Sequence, residues 1–183
     1  MSRLTIWDAS SNDQLLVTED PAEIATKLKA IGVRFEQWPR ADLPADADAD
    51  AILAAYRPHL DAFLASTGAG TADVIKLTPD HPMKDAMRAK FLSEHTHTED
   101  EVRFFHAGTG NFVLHMEGPE GPRVFDAHCG PGDLISVPAN SKHWFDAGTE
   151  PNFAVVRVFT DTTGWTPHYT GTDMAERFPA KTI

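Results

Sequence analysis

The chain has 183 residues, with 16 Lys plus Arg against 27 Asp plus Glu and a formal net charge of −11 at pH 7. At 42% hydrophobic and 23% charged residues it has the apolar material for one folded domain, which argues against wholesale disorder. The acid excess excludes a face of clustered cations, so neither nucleic acid nor an anionic membrane surface is an expected partner.

The single cysteine, Cys129, can form no disulfide within the chain and points to a reducing compartment. Met1–Asp8 lacks the apolar run of a signal peptide. No window approaches the roughly 18 consecutive apolar residues of a membrane span. A soluble cytoplasmic protein is expected, and a monomer, since no extended apolar stripe demands a partner.

The first ninety residues read as a mixed cover of helices and strands. Asp20 is a candidate N-cap, followed by Pro21 at the first helical position and Glu23 at the third. Ile24, Leu28 and Ile31 then recur at helical spacing until Gly32 stops the pattern. Val33–Trp38 reads as a short strand. The Ala/Asp alternation of Ala45–Asp50 is a solvated helix entry or a loop. Ile52, Leu53, Tyr56, Leu60, Phe63 and Leu64 predict a second helix, bent or broken near Pro58. Val74–Leu77 is strand-like.

From residue 91 the texture changes. Strand-length runs (Glu101–His106, Asn111–Met116, Arg123–His128, Leu134–Val137 and Phe153–Thr160) alternate with Gly/Pro turns. Short strands at this spacing predict a mostly β sandwich or barrel. The expected organisation is one domain over 1–183, with residues 1–90 as the helical decoration and residues 91–171 as the barrel core.

Histidine spacing carries most of the information. His95 and His97 are two apart, and Glu101 lies four beyond His97. If residues 93–105 are extended, His95, His97, Glu99, Glu101, Arg103 and Phe105 share one face of a strand. Local twist leaves the membership of Glu99 open. A lone His-x-His is more often a surface feature than a ligand pair. A second segment, Gly132-Asp133-Leu134-Ile135-Ser136-Val137-Pro138 followed by a turn and His143, raises its significance.

Together the two segments resemble the paired motifs of the cupins. His95, His97, Glu101 and Gly108 match the first motif without gaps, and Gly132, Pro138 and His143 match the second. Ala89 stands where the first motif often opens on glycine, and Asn140 stands at the turn glycine. Ala147 stands where an Asn often closes the second motif. The resemblance implies a jelly-roll β-barrel with one metal ion held by His95, His97, Glu101 and His143. Three imidazoles and a carboxylate suit divalent Fe, Ni, Mn or Co better than Mg or Ca. An octahedral ion with four protein ligands keeps two positions for a chelating substrate, whereas a closed structural zinc site keeps none.

Longer blocks narrow the resemblance to the acireductone dioxygenase family. They are Phe91–Phe104, Gly132–Ile135 with Pro138 and His143–Phe145, and Arg157–Thr160 with Gly164, Trp165 and Tyr169–Gly171; Ile31–Trp38 also fits. The resemblance implies one Fe(II) or Ni(II) per chain, and an anionic enediol substrate, 1,2-dihydroxy-3-keto-5-methylthiopentene, cleaved with O₂ in methionine salvage. With Fe(II) the products are the 2-keto acid of methionine and formate. With Ni(II) they are methylthiopropionate, formate and CO. It further implies that Arg103 helps generate the substrate dianion, and that Glu94 and Asp100 serve metal incorporation and conformational coupling.

Arg157, among Phe153, Val155 and Phe159 on one strand face, is either an edge residue or a buried cation with an anion to pair; the second reading is preferred and makes it a candidate site residue. Phe91, Phe104, Phe145 and Trp165 are candidate walls for an apolar substrate tail, although most aromatics in such strands are core. His106, His115 and His128 are read as ordinary surface or core residues. A cupin dioxygenase on another enediol and a non-catalytic metal-binding cupin are the competing readings.

Overall fold

Period-2 alternation in the second half of the chain builds two antiparallel sheets that face each other across an apolar interior. The computed structural model describes residues 1–44, 47–118, 120–159 and 166–180. Along the chain the elements are β1 (Arg3–Asp8), β2 (Gln14–Thr18), α1 (Pro21–Lys29), β3 (Arg34–Gln37), α2 (Ala49–Thr67), β4 (Thr71–Leu77), α3 (Lys84–Leu92) and β5 (His95–Thr96). There follow β6 (Glu101–Ala107), β7 (Gly110–Gly118), β8 (Gly121–Cys129), β9 (Asp133–Val137), β10 (Lys142–Asp146), β11 (Phe153–Phe159), β12 (His168–Tyr169) and α4 (Met174–Arg177).

The first sheet runs β12-β5-β10-β7-β8-β1-β2 and the second β3-β9-β6-β11-β4. The N-terminal segment therefore supplies strands to both sheets as well as helices. Strands β1 and β2 carry no strong sequence signal, because Ser10 to Asp13 is a short polar turn between two brief runs. Pairing with β8 over Arg3–Asp8 defines β1.

Leu4, Ile6, Phe112, Leu114 and Phe125 from the first sheet meet Phe35, Phe105, Ile135 and Val155 from the second in one core cluster. Alternate residues of the second sheet, Val102, Phe104, Leu134 and Val156, point the other way and pack beneath α2. Helix α1 begins as its sequence predicts: the Asp20 carboxylate accepts from the Ala22 N–H, and Ile24 and Leu28 enter the core. Helix α2 is capped by Asp48 and runs through Pro58 as a single helix, so the expected break does not occur. Its stripe of Ile52, Tyr56, Leu60 and Phe63 is buried on the sheet, and that packing outweighs the one backbone hydrogen bond a proline forfeits.

The extended run expected over 93–105 is interrupted. Residues up to Leu92 belong to α3, β5 is two residues long, and a short loop over 97–100 leads into β6. Helix α3 lies along β10, and none of its own residues is fully buried.

Gly108 turns β6 into β7 with φ +73°, where a Cβ would stand 2.0 Å from the Asn152 carbonyl oxygen and 2.6 Å from Phe153 Cα. Both the left-handed backbone and the clash with another strand's main chain exclude a side chain. Gly108→Ala is expected to lose more than about 2 kcal/mol of stability. The measurement is the urea midpoint, and an unchanged midpoint would contradict the assignment.

Candidate metal centre

Four side chains from four places in the fold converge at one end of the sandwich. His95 comes from β5 and His143 from β10, directly paired neighbours in the first sheet. His97 comes from the loop after β5, and Glu101 opens β6 in the second sheet. One ligand atom from each lies within 4.8 Å of the others, and all four residues are buried. Glu99 is not in the cluster, because the loop over 97–100 breaks the strand alternation that would have aligned it.

Each imidazole is oriented by a backbone carbonyl. Nδ1 lies 2.7 Å from the Ser93 oxygen in His95, 3.2 Å from the Thr166 oxygen in His97, and 2.9 Å from the Ser141 oxygen in His143. A carbonyl can only accept, so each Nδ1 carries the proton and each Nε2 presents its lone pair inward. Burial, with the nearby His143, holds the His95 pKa down to about 4 against the Ser93 carbonyl, so the ring is neutral at pH 7.

The donor set fits a metal ion. His95 Nε2 is buried with no hydrogen-bond partner among the described residues. His143 Nε2 faces Glu101 Oε2 at 2.8 Å and His97 Nε2 faces it at 3.3 Å. Lone pairs aimed at a carboxylate require a cation between them, and three imidazoles with one carboxylate suit a single divalent first-row ion.

Glu101 Oε1 is held by Arg103 Nη2 at 2.8 Å. Burial pushes the Glu101 carboxyl upward, but the Arg103 guanidinium beside it holds it well below the usual carboxylate range. Burial lowers Arg103 to about 10 against the pull of Glu101, so its guanidinium stays charged at pH 7.

Glu101 and Arg103 also form the polar end of a cleft between the sheets, about 620 Å³ including its open side. Ile75, Val155, Phe105 and Phe145 line its apolar stretch, and Met87 and Phe91 of α3 form one wall. Of the aromatic candidates, Phe91 and Phe145 therefore line the cleft. Phe104 does not, because its even position puts it under α2. Trp165 lies outside the described residues.

The remaining candidates sit around the centre. Arg157 is paired across the sheet with Arg103, but its guanidinium binds Asp73 in a two-point contact at 2.8 and 2.5 Å. The anion it pairs with is thus a side chain of β4. Asp100 Oδ1 accepts from the Ala139 N–H at 2.9 Å, and the Asn140 N–H donates to the His97 carbonyl at 2.8 Å. These two bonds tie the His97 loop to the turn before His143, where Asn140 sits at φ 62°.

Glu94 faces away from His95 on β5. Its carboxylate takes hydrogen bonds from Thr170 Oγ1 at 2.6 Å, Thr172 Oγ1 at 2.8 Å and His115 Nδ1 at 2.8 Å. Burial opposes ionisation there, but those three donors bring its pKa to about 2. His115 is therefore the partner of Glu94, a role that its isolated place on β7 did not signal. Arg88 and Asp146, also missed, bridge α3 to β10 beside the cleft. They are 58 residues apart and carry no local pattern.

Comparison with known proteins agrees with this geometry. The ARD/ARD′ family matches residues 3–167. The chain is 61% identical over 182 residues to an acireductone dioxygenase of Granulibacter bethesdensis, spanning 98% of this chain and 99% of that one. It is 56% identical over 181 residues to an acireductone dioxygenase of Acidiphilium cryptum, covering 98% of both. A solved acireductone dioxygenase from Bacillus anthracis with a cadmium ion in its active centre superposes with a TM-score of 0.79. That structure is 32% identical, over 92% of this chain and 98% of its own. A buried three-histidine, one-glutamate centre between cupin sheets, with whole-chain identity at this level, places the chain in the acireductone dioxygenase family.

Proposed function

We propose that the chain cleaves acireductone, 1,2-dihydroxy-3-keto-5-methylthiopentene, with O₂, using one Fe(II) or Ni(II) held by His95, His97, Glu101 and His143. The observation that carries the reading is the junction of metal centre and cleft. Glu101 and Arg103 belong to both, and the cleft beyond them is apolar. Such a site suits a small molecule with a charged, chelating head and a hydrophobic tail.

The ion, held by these four residues, would supply a Lewis acid and a template for the substrate's oxygens. The chain's own residues do the rest. The three imidazoles, each with Nδ1 turned to a backbone carbonyl, direct Nε2 inward as the nitrogen that would ligate the ion. Glu101 contributes one negative charge to a divalent ion, leaving a net +1, and a dianionic enediolate over-compensates it. Arg103, bound to the second carboxylate oxygen of Glu101, offsets the excess and favours loss of both substrate protons.

Arg157 acts as a positioning residue. Neutralised by Asp73, it stands opposite Arg103 and fixes the strand face from which Arg103 reaches Glu101. Asp100 positions the His97 loop against the His143 turn, and Glu94 anchors β5 to the segment after β12. The apolar cleft takes the methylthio tail and excludes water from the reacting atoms. With Fe(II) the products are the 2-keto acid of methionine and formate; with Ni(II) they are methylthiopropionate, formate and CO. A monomer in a reducing cytoplasm is consistent with the one buried thiol, Cys129, which burial pushes well above the ordinary range.

Anaerobic reconstitution with Fe(II) or Ni(II), followed by acireductone and O₂, is expected to release formate at rates far above the spontaneous reaction, with keto acid or CO according to the metal. Background rates with both metals would overturn the reading. Arg103→Ala is expected to keep its metal stoichiometry while turnover falls at least about 100-fold; retained turnover would remove Arg103 from the dianion role. His143→Ala should weaken metal binding by more than the roughly 10- to 100-fold typical of residues that merely orient ligands. Titration monitored by metal analysis decides it, and stoichiometric retention would contradict His143 as a ligand.

A further inference from the structure

Helix α3 closes the flank of the sandwich beside β10 and supplies a wall of the cleft, yet none of its residues is fully buried. Its N-cap residue Met83 makes no side-chain hydrogen bond. Hydrophobic burial alone therefore anchors the helix weakly. Its position depends on polar contacts: ion pairs with β10 and the loop after it, and the Tyr169 hydroxyl donating to the Lys90 carbonyl near its C-terminus at 3.0 Å.

The main one is the pair between Arg88 and Asp146. Arg88 Nε and Nη2 donate to the two carboxylate oxygens of Asp146, both at 2.8 Å. The Gly148 N–H donates to Asp146 Oδ1, also at 2.8 Å. The Asp146 side chain is only 9% exposed, so this is a planar, two-point, partly desolvated contact, unlike an ordinary surface ion pair. A second contact, Lys84 with Glu150 at 2.9 Å, has a carboxylate 69% exposed and is correspondingly weaker.

The clasp sits over the apolar stretch of the cleft. Phe91 marks the metal end of α3, its ring 5.7 Å from that of His95. Met87 and Arg88 lie about one helical turn, roughly 5.4 Å, further along. Opposite them stand Val155, Ile75 and Phe145. The gap between Met87 and these walls is set by how closely α3 is drawn to β10.

We propose that Arg88, through its pair with Asp146, is a specificity-determining positioning residue: it fixes α3 over the cleft and so sets the tail length the site accepts. The proposal rests on the acireductone reading for the identity of the tail. Arg88 presents only its stem to the cleft, because its guanidinium is held by Asp146, and it touches no reacting atom.

The test compares acireductone with an analogue whose tail is longer by two methylenes, using metal-loaded parent, Arg88→Ala, Arg88→Lys and Asp146→Asn proteins. The parent is expected to prefer the natural tail by at least about tenfold in kcat/KM. In Arg88→Ala and Asp146→Asn the preference should fall below about threefold, with KM for acireductone rising more than kcat falls. Arg88→Lys, which keeps the charge but loses the two-point geometry, should lie between. Metal per chain should be the same in all four.

Hydrogen exchange of the α3 amides, read without substrate, should be faster in Arg88→Ala than in the parent. Unchanged α3 protection, or an unchanged tail preference in a parent that turns over acireductone, overturns the clasp while leaving the acireductone reading intact. A parent that fails to turn over acireductone overturns that reading and the tail selectivity with it.

Discussion

A carboxylate held out of water between two β-sheets is the constraint around which the centre is built. Glu101 is the one metal-site residue contributed by the second sheet, and it comes from β6, the central strand in the order β3-β9-β6-β11-β4. Burying that charge is costly without compensation. Arg103, 2.8 Å from one oxygen, supplies part of it, and the other oxygen faces His143 Nε2 at 2.8 Å, where a bound cation would supply the rest. The arrangement also sets the relative position of the sheets: β10 must bring His143, and β5 must bring His95, within reach of an oxygen that β6 cannot move.

The supports of the ligands reach far along the chain. The proton on each Nδ1 is claimed by the carbonyl of Ser93, Thr166 or Ser141, so the ring orientations depend on segments before β5, before β12 and before β10. Glu94 and Asp100 extend the same logic. Neither enters the cleft; each closes a gap between a ligand-bearing segment and a neighbour that would otherwise be joined only by a two-residue strand or a loop. A site assembled from loop and strand ends gains its rigidity in this way, through hydrogen bonds whose partners are distant in sequence.

How much of this was legible beforehand follows from the range of each interaction. The four-residue cluster could be read because His95, His97 and Glu101 lie within seven residues and His143 follows a recognisable strand and turn. The strands from β6 onward could be read because alternation is local. The strand expected to carry the first three of these residues is in fact broken by the loop over 97–100, and the side chains converge despite the lost parity. The length of α2 through Pro58 was not legible, since the sheet beneath it decides. The partners of Arg157, Glu94 and Arg88 are 84, 76 and 58 residues away in Asp73, Thr170 and Asp146, and no local pattern announces them.

The net charge of −11 and an anionic substrate are reconciled at the same place. Across the inner face of the second sheet Asp73, Arg157 and Arg103 stand in register, and Arg103 reaches back to Glu101. This row holds two acids and two guanidiniums, so it is neutral by itself, whatever the sum over the rest of the chain. Arg157 is turned toward Asp73, while Arg103 lines the cleft. A divalent ion held at the centre would add its whole charge to a locally neutral row, and a small anion in the cleft would then meet a positive potential. Surface carboxylates separated from it by more than a Debye length, about 8 Å at physiological ionic strength, are largely screened. The net charge is therefore no guide to the centre, where the local balance is set by the row of four charges.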